Sequence, residues 1–181
     1  GLKDILILTL CCVLIATAQK EFMACVHIWK IKMNQNKTKS TLIVNLMGGP
    51  ATGKSTNAAG LFYRMKRSGI NCEYIQEYAK DKTWSEDKQT LMCQPYVTGK
   101  QFYRTARLLG KVDVAVTDSP ILTGILYQGF GCTPSWEKWA VEAFNEFNNL
   151  NIFLVRNSDN HPYNPMGRNQ TEEEAKDKDR E

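Results

Sequence analysis

From Thr41 onward the chain alternates short apolar runs with amphipathic stretches. Residues 41–47 (TLIVNLM) are β-branched and apolar with one Asn inside, the pattern of a strand buried on both faces. Residues 48–53 form a Gly/Pro-rich turn. Residues 54–68 place Ala58, Leu61, Phe62 and Met65 at helical spacing, and Gly69 stops that helix. Residues 72–76 (CEYIQ) predict a second strand. Residues 77–96 are polar and mixed, with one helical piece expected at 85–92 and a break at Pro95. Residues 99–109 predict a helix with Phe102, Ala106 and Leu109 on its apolar face, and 112–117 a third strand. Residues 121–127 and 135–147 predict helices. The second carries Trp136, Trp139, Ala140, Ala143 and Phe147 in a stripe that reads as core rather than as a binding platform. Residues 151–155 predict a fourth strand, 156–170 a polar loop, and 171–174 a capping box opening a charged last helix with a solvated face.

Strand, turn and helix in this order make a βαβ alternation. It predicts an α/β fold: a parallel sheet flanked by helices, with right-handed crossovers. In such sheets ligands sit at the carboxyl ends of the strands. The 181 residues suit one domain of ordinary size, expected at 41–181, with 1–40 as an N-terminal extension.

That extension is unlike the body. Residues 5–16 are a nearly continuous apolar run after Lys3, followed by Ala16-Thr17-Ala18 in the small-x-small form of a signal-peptidase site. The run is shorter than the roughly 20 apolar residues of a transmembrane helix. Met33 opens a polar and then strand-like stretch that would make a natural start for the body. Residues 1–32 are therefore expected to lie outside the functional domain, with a signal or anchor and a packed extra helix as the other readings. The six lysines of residues 1–40 outnumber Asp4 and Glu21 and account for the whole net charge of +4. The body is neutral, which gives no electrostatic case for nucleic acid or a membrane surface as partner. Cys72, Cys93 and Cys132 form no C-x-x-C pair and read as isolated thiols. His27 and His161 make no metal cluster.

The chemistry lies where the strands end. Gly48, Gly49, Pro50, Ala51, Thr52, Gly53, Lys54 and Ser55 match G-x-x-x-x-G-K-S/T between a predicted strand and a predicted helix. Glycines let such a loop wrap closely and aim successive N–H groups at phosphate oxygens, and the helix dipole favours the anion. Lys54 would reach the β- and γ-phosphates, and the Ser55 hydroxyl would bind Mg²⁺. Asp118 ends the third strand, where a carboxylate completes the Mg²⁺ shell; as an alternative it caps the next helix. Glu77 ends the second strand and could accept a proton from an attacking hydroxyl, with an exposed loop residue as the plain alternative. Gln101 and Arg104 share a helical face and are candidates to hold an acceptor. Arg168 is the preferred lid arginine and Arg156 the second, placed to stabilise a transferring phosphoryl group.

Taken together, GGPATGKST, QEYAKD, Q-x-x-R-x-x-R before a strand ending in TDSP, NIFLVR and YNPMGRNQTEEEA resemble small phage-encoded P-loop proteins. These are grouped with AAA-domain, NadR-like nicotinamide-riboside kinases and more distantly with nucleoside and nucleoside-monophosphate kinases. The resemblance covers about residues 40–181. It implies a five-stranded parallel sheet of the nucleotide-kinase type, ATP along 48–56 including Thr56, Mg²⁺ near Ser55 and Asp118, and Glu77 as candidate base. The fifth strand and last helix it implies would fall beyond Glu181, so the chain is expected to be truncated at its C-terminal end.

The expected activity is therefore transfer of the γ-phosphate of Mg-ATP to a small nucleoside-like, nucleotide-like or nicotinamide-riboside-like acceptor. Such a kinase would work in the cytoplasm, where ATP is abundant. The alternatives are an ATPase or nucleotide-dependent switch without a small acceptor, and a kinase of nucleic-acid 5′ ends.

Overall fold

The computed structural model describes residues 41–127, 129–156, 163, 164, 166 and 168–179. The extension 1–40, with its signal-like run, Met33 and His27, lies outside the described residues, as does His161. Strands β1 (Leu42–Met47), β2 (Cys72–Ile75), β3 (Val114–Thr117) and β4 (Asn148–Phe153) form one parallel sheet in the order β2-β3-β1-β4. The helices are α1 (Lys54–Arg67), α2 (Tyr78–Trp84), α3 (Lys88–Leu91), α4 (Gln94–Ala106), α5 (Pro134–Asn145) and α6 (Glu172–Lys178), with a 3-10 helix at Ile121–Leu126. The fold is the α/β arrangement expected, a parallel sheet flanked by helices. The four strands expected within the chain are all present among the described residues.

Alternation along the strands assigns the two faces. Leu42, Val44 and Leu46 of β1, with Val114 and Val116 of β3, pack on Ala58 and Met65 of α1. Ile43 and Ala115 point the other way, toward Ile121 and the α5 residues Ala143 and Phe144. Each fully buried aliphatic side chain contributes about 1.5–3 kcal/mol. The core thus holds the carboxyl ends of β1, β2 and β3 side by side.

Several boundaries differ from the sequence-based expectation, each for a physical reason. β4 runs from Asn148, not 151, and pairs in full register with β1 from Leu42↔Asn148 to Met47↔Phe153. Its polar start hid it. Buried Asn45 donates Nδ2 to Asn149 Oδ1 at 2.8 Å and to Asn151 Oδ1 at 2.9 Å, so asparagines pair across the two strands. Helix α4 starts at Gln94, and Pro95 opens it rather than breaking it, because the first turn needs no N–H from that residue. Its fully buried residues are Gln94, Val97, Thr98, Gln101 and Thr105, while of the expected apolar face Phe102 packs half-buried on Phe147 and Leu109 is exposed. Helix α2 carries no buried residue, so no apolar period announced it. The expected piece at 85–92 shrinks to α3, with Asp87 accepting from the Thr90 N–H. Residues 121–126 form a 3-10 helix rather than an α-helix. The α5 stripe is core at Trp136, Ala140, Ala143 and Phe147, while Trp139 sits at its margin, edge-on to Phe102. Cys72, Cys93 and Cys132 are free thiols.

Candidate functional site

The loop after β1 closes on itself. The Lys54 ammonium folds back and donates to the carbonyls of Gly48 and Gly49, both at 2.7 Å. The Thr52 hydroxyl donates to the Gly49 carbonyl at 3.0 Å. Gly53, with φ +87°, turns the chain into α1, a backbone conformation that favours glycine. Ala51 also has positive φ, 65°, which places backbone strain within the loop. Helix α1 has no side-chain N-cap and no acidic residue in its first turn, so no side chain of its own neutralises its positive end. Burial pulls the Lys54 ammonium down from its ordinary pKa, and the carboxylates of Glu77, Asp118 and Asp179 oppose that shift.

Asp118 follows the last residue of β3 and is buried. Its Oδ2 accepts the Tyr74 hydroxyl at 2.8 Å, while its Oδ1 is buried without a hydrogen-bond partner. Burial, then the bond to Asp118, pushes the phenol well above its ordinary pKa. A buried carboxylate oxygen left unpaired is costly unless a cation satisfies it. Together with the Ser55 hydroxyl it offers the hard oxygen donors that Mg²⁺ takes, so these residues fit that ion. Among the described residues no three His, Cys, Asp or Glu side chains converge on a metal position. A Mg²⁺ here would complete its shell with phosphate and water, as that ion ordinarily does.

Glu77 follows β2 at the N-cap position of α2, yet its side chain makes no capping bond. Instead it lines a cleft of about 640 Å³ that also includes Pro50, Gly53, Lys54, Ser55 and Thr56. Burial raises the Glu77 pKa first, and the Asp118 charge raises it further, against Lys54, Lys80 and Arg168. Beyond Glu77 the cleft is lined by Gln94, Val97, Thr98, Ile121 and Gly124.

The remaining predicted residues divide. Arg168 lines the cleft, donates to the carbonyls of Asn164 and Met166, and lies over the Tyr163 ring. Gln101 lines it too, but its side chain is committed: Oε1 accepts the Tyr78 N–H at 3.1 Å and Nε2 donates to Thr117 Oγ1 at 3.4 Å. Arg104 is not among the lining residues; it donates to Gln76 O at 3.0 Å and pairs with Asp81 at 2.8 Å. Arg156 is held behind the phosphate loop. Its Nε donates to Asp179 Oδ2 and its Nη2 to Pro50 O, both at 2.6 Å.

Two residues of the site carried no sequence signal. Tyr74 counted only as an apolar strand position. Asp179 stood in a charge run expected to be solvated, yet its Oδ1 accepts the Gly49 N–H at 2.9 Å. A Cβ added at Gly49 would fall 2.0 Å from that oxygen, so the close approach requires glycine there. The capping box of α6 is formed as expected, with Thr171 and Glu174 bonding reciprocally.

A family model described as an AAA domain matches residues 43–181, most of the chain. The chain belongs to this AAA domain family. It is a P-loop nucleotide-binding domain, and its loop, acidic strand end and sheet are those of an NTPase-type or kinase-like enzyme. No curated protein matches it. Among the described residues no helix of this AAA domain is long and apolar enough to cross a membrane.

Proposed function

We propose that this AAA domain transfers the γ-phosphate of ATP, bound with Mg²⁺, to a hydroxyl of a small nucleoside-like acceptor. The observation that carries the reading is the continuity of the cleft. It runs from Lys54 and Ser55 past Glu77 to an uncharged floor at Gln94, Val97, Thr98 and Ile121. A domain that only hydrolyses nucleotide needs no such extension.

The acceptor oxygen attacks the γ-phosphorus as the bond to the bridging oxygen breaks, and ADP leaves. The acceptor proton passes to the Glu77 carboxylate. Its raised pKa makes it a stronger base than an ordinary carboxylate. Lys54 and Arg168 face the charge that spreads over the γ-oxygens. Ser55 and Asp118 would hold Mg²⁺, which when bound neutralises charge on the β- and γ-phosphates. Glu77 also favours a hydroxyl over a phosphate as acceptor. A hydroxyl must lose a proton to a base, whereas an acceptor phosphate is already anionic and would meet a carboxylate of its own sign. Dependence on ATP places the proposed reaction in the cytoplasm.

Incubation with γ-labelled ATP and a panel of nucleosides, nucleoside monophosphates and nicotinamide riboside tests the reading. Label is expected on at least one hydroxyl acceptor. Measurable ATP binding with no transfer to any panel member would leave an ATPase or switch as the better description.

A further inference from the structure

The Tyr74 hydroxyl is bonded to the acid that would help hold a divalent cation, and neither the loop motif nor the acidic strand end requires a tyrosine there. We propose that Tyr74 is a positioning residue for the cation: it donates its hydroxyl proton to Asp118 Oδ2 and fixes the carboxylate, leaving Asp118 Oδ1 to face the ion.

The direction of this bond follows from the donor inventory. A carboxylate only accepts, and a phenol has a single proton. That proton goes to Asp118 at 2.8 Å. Asp118, fixed through Oδ2, keeps Oδ1 free, and that is the atom left without a partner.

The phenol is placed by the packed core rather than by the loop. Tyr74 lies on β2, in register with Val116 of β3, and its ring centroid is 6.3 Å from that of Phe62 on α1. Its hydroxyl therefore does not depend on where the phosphate loop or Arg168 stands. Tyr74 and Asp118 also line a second cleft, of about 250 Å³, beside Glu77 and Lys80. That cleft gives the Asp118 side a path for the waters that Mg²⁺ retains. Groups that orient metal ligands from behind contribute about 10–100-fold to metal affinity.

The inference does not depend on the acceptor, since an ATP hydrolase would need the same positioned carboxylate. Its test is Tyr74→Phe, which keeps the ring on Phe62 and removes only the hydroxyl. Mn²⁺ affinity in the presence of a non-hydrolysable ATP analogue is read by electron paramagnetic resonance. Binding of the same analogue in EDTA is read by calorimetry. A loss of about 10–100-fold in Mn²⁺ affinity is expected, with analogue binding in EDTA within twofold of the parent. In an Asp118→Ala background the same substitution should have little further effect, because the acceptor of the Tyr74 hydroxyl is already gone. Mn²⁺ affinity within twofold of the parent would overturn the proposal. So would an equal loss of analogue binding in EDTA, which would mark Tyr74 as a support of the loop as a whole, or full additivity with Asp118→Ala.

Discussion

The two ends of the cleft are built by different means. At the phosphate end, main-chain geometry dominates: Lys54 closes on the carbonyls of Gly48 and Gly49, and α1 presents its uncapped N-terminus. At the acceptor end, side chains of α4 and the 3-10 helix form the surface, and four of the five buried α4 residues carry an amide or hydroxyl. Backbone recognition depends on a short run of residue types in fixed order, because glycine conformations and helix starts are local properties. Side-chain recognition depends on which residues a fold brings together. The first end can therefore be shared across a broad class of enzymes, while the second is free to define one substrate.

Glu77 lies between the ends and separates their contributions most sharply. Glu77→Gln is expected to lower the transfer rate by about 10²–10⁴-fold while ATP affinity stays within a few-fold. Steady-state kinetics and calorimetry on the same sample check this. The ionised base is required, so the parent rate should fall as pH drops through a pKa above the ordinary carboxylate range. Stability should move the other way. A carboxylate whose pKa is raised by folding destabilises the native state at neutral pH, and that penalty vanishes below its unfolded pKa. Glu77→Gln should therefore raise the melting temperature at pH 7, by about 2–4 °C for each kcal/mol recovered, and change it little near pH 3. Equal melting at both pH values would show that burial does not strain this residue.

A smaller effect is expected from behind the phosphate end. Asp179→Ala removes the partner of Arg156 and the acceptor of the Gly49 N–H. Bonds to charged groups of this kind contribute about 1.5–3 kcal/mol, which urea unfolding would measure. ATP affinity should fall with it, since the loop loses its outer support. Unchanged unfolding and unchanged affinity would mean that α6 merely rests on the loop.

The smallest effect belongs to the acceptor floor. Thr98 is buried and its hydroxyl has no partner. Thr98→Val should leave stability unchanged or raise it by about 1 kcal/mol, because an unsatisfied polar group is removed. A marked loss in urea unfolding would show that the hydroxyl is bonded after all. Taken with the other two substitutions, the order of effects measures how unequally the cleft's ends contribute.

How far each region was legible follows from the range of its determinants. Residues 41–56 could be read directly: a buried strand, a glycine turn and a helix start are set by neighbours within a few positions. The capping box at Thr171 and Glu174 is local in the same sense. By contrast, α2 has no apolar period, and the buried face of α4 is largely polar, so hydrophobic spacing found Phe102 but missed most of the buried residues. The polar start of β4 is intelligible only once Asn45 is seen across the sheet.

By itself, the order of residues determined a phosphate-binding loop at the carboxyl end of one strand of a parallel sheet, with an acid at the end of another. Tertiary structure alone decided that the Tyr74 hydroxyl meets Asp118, that Arg156 faces Asp179 rather than the cleft, and that Gln101 braces the start of α2. The reason is distance along the chain. Tyr74 and Asp118 are 44 residues apart, and Gly49 and Asp179 are 130. Local preferences shape each element, but only the packing of one element on another determines which side chains meet.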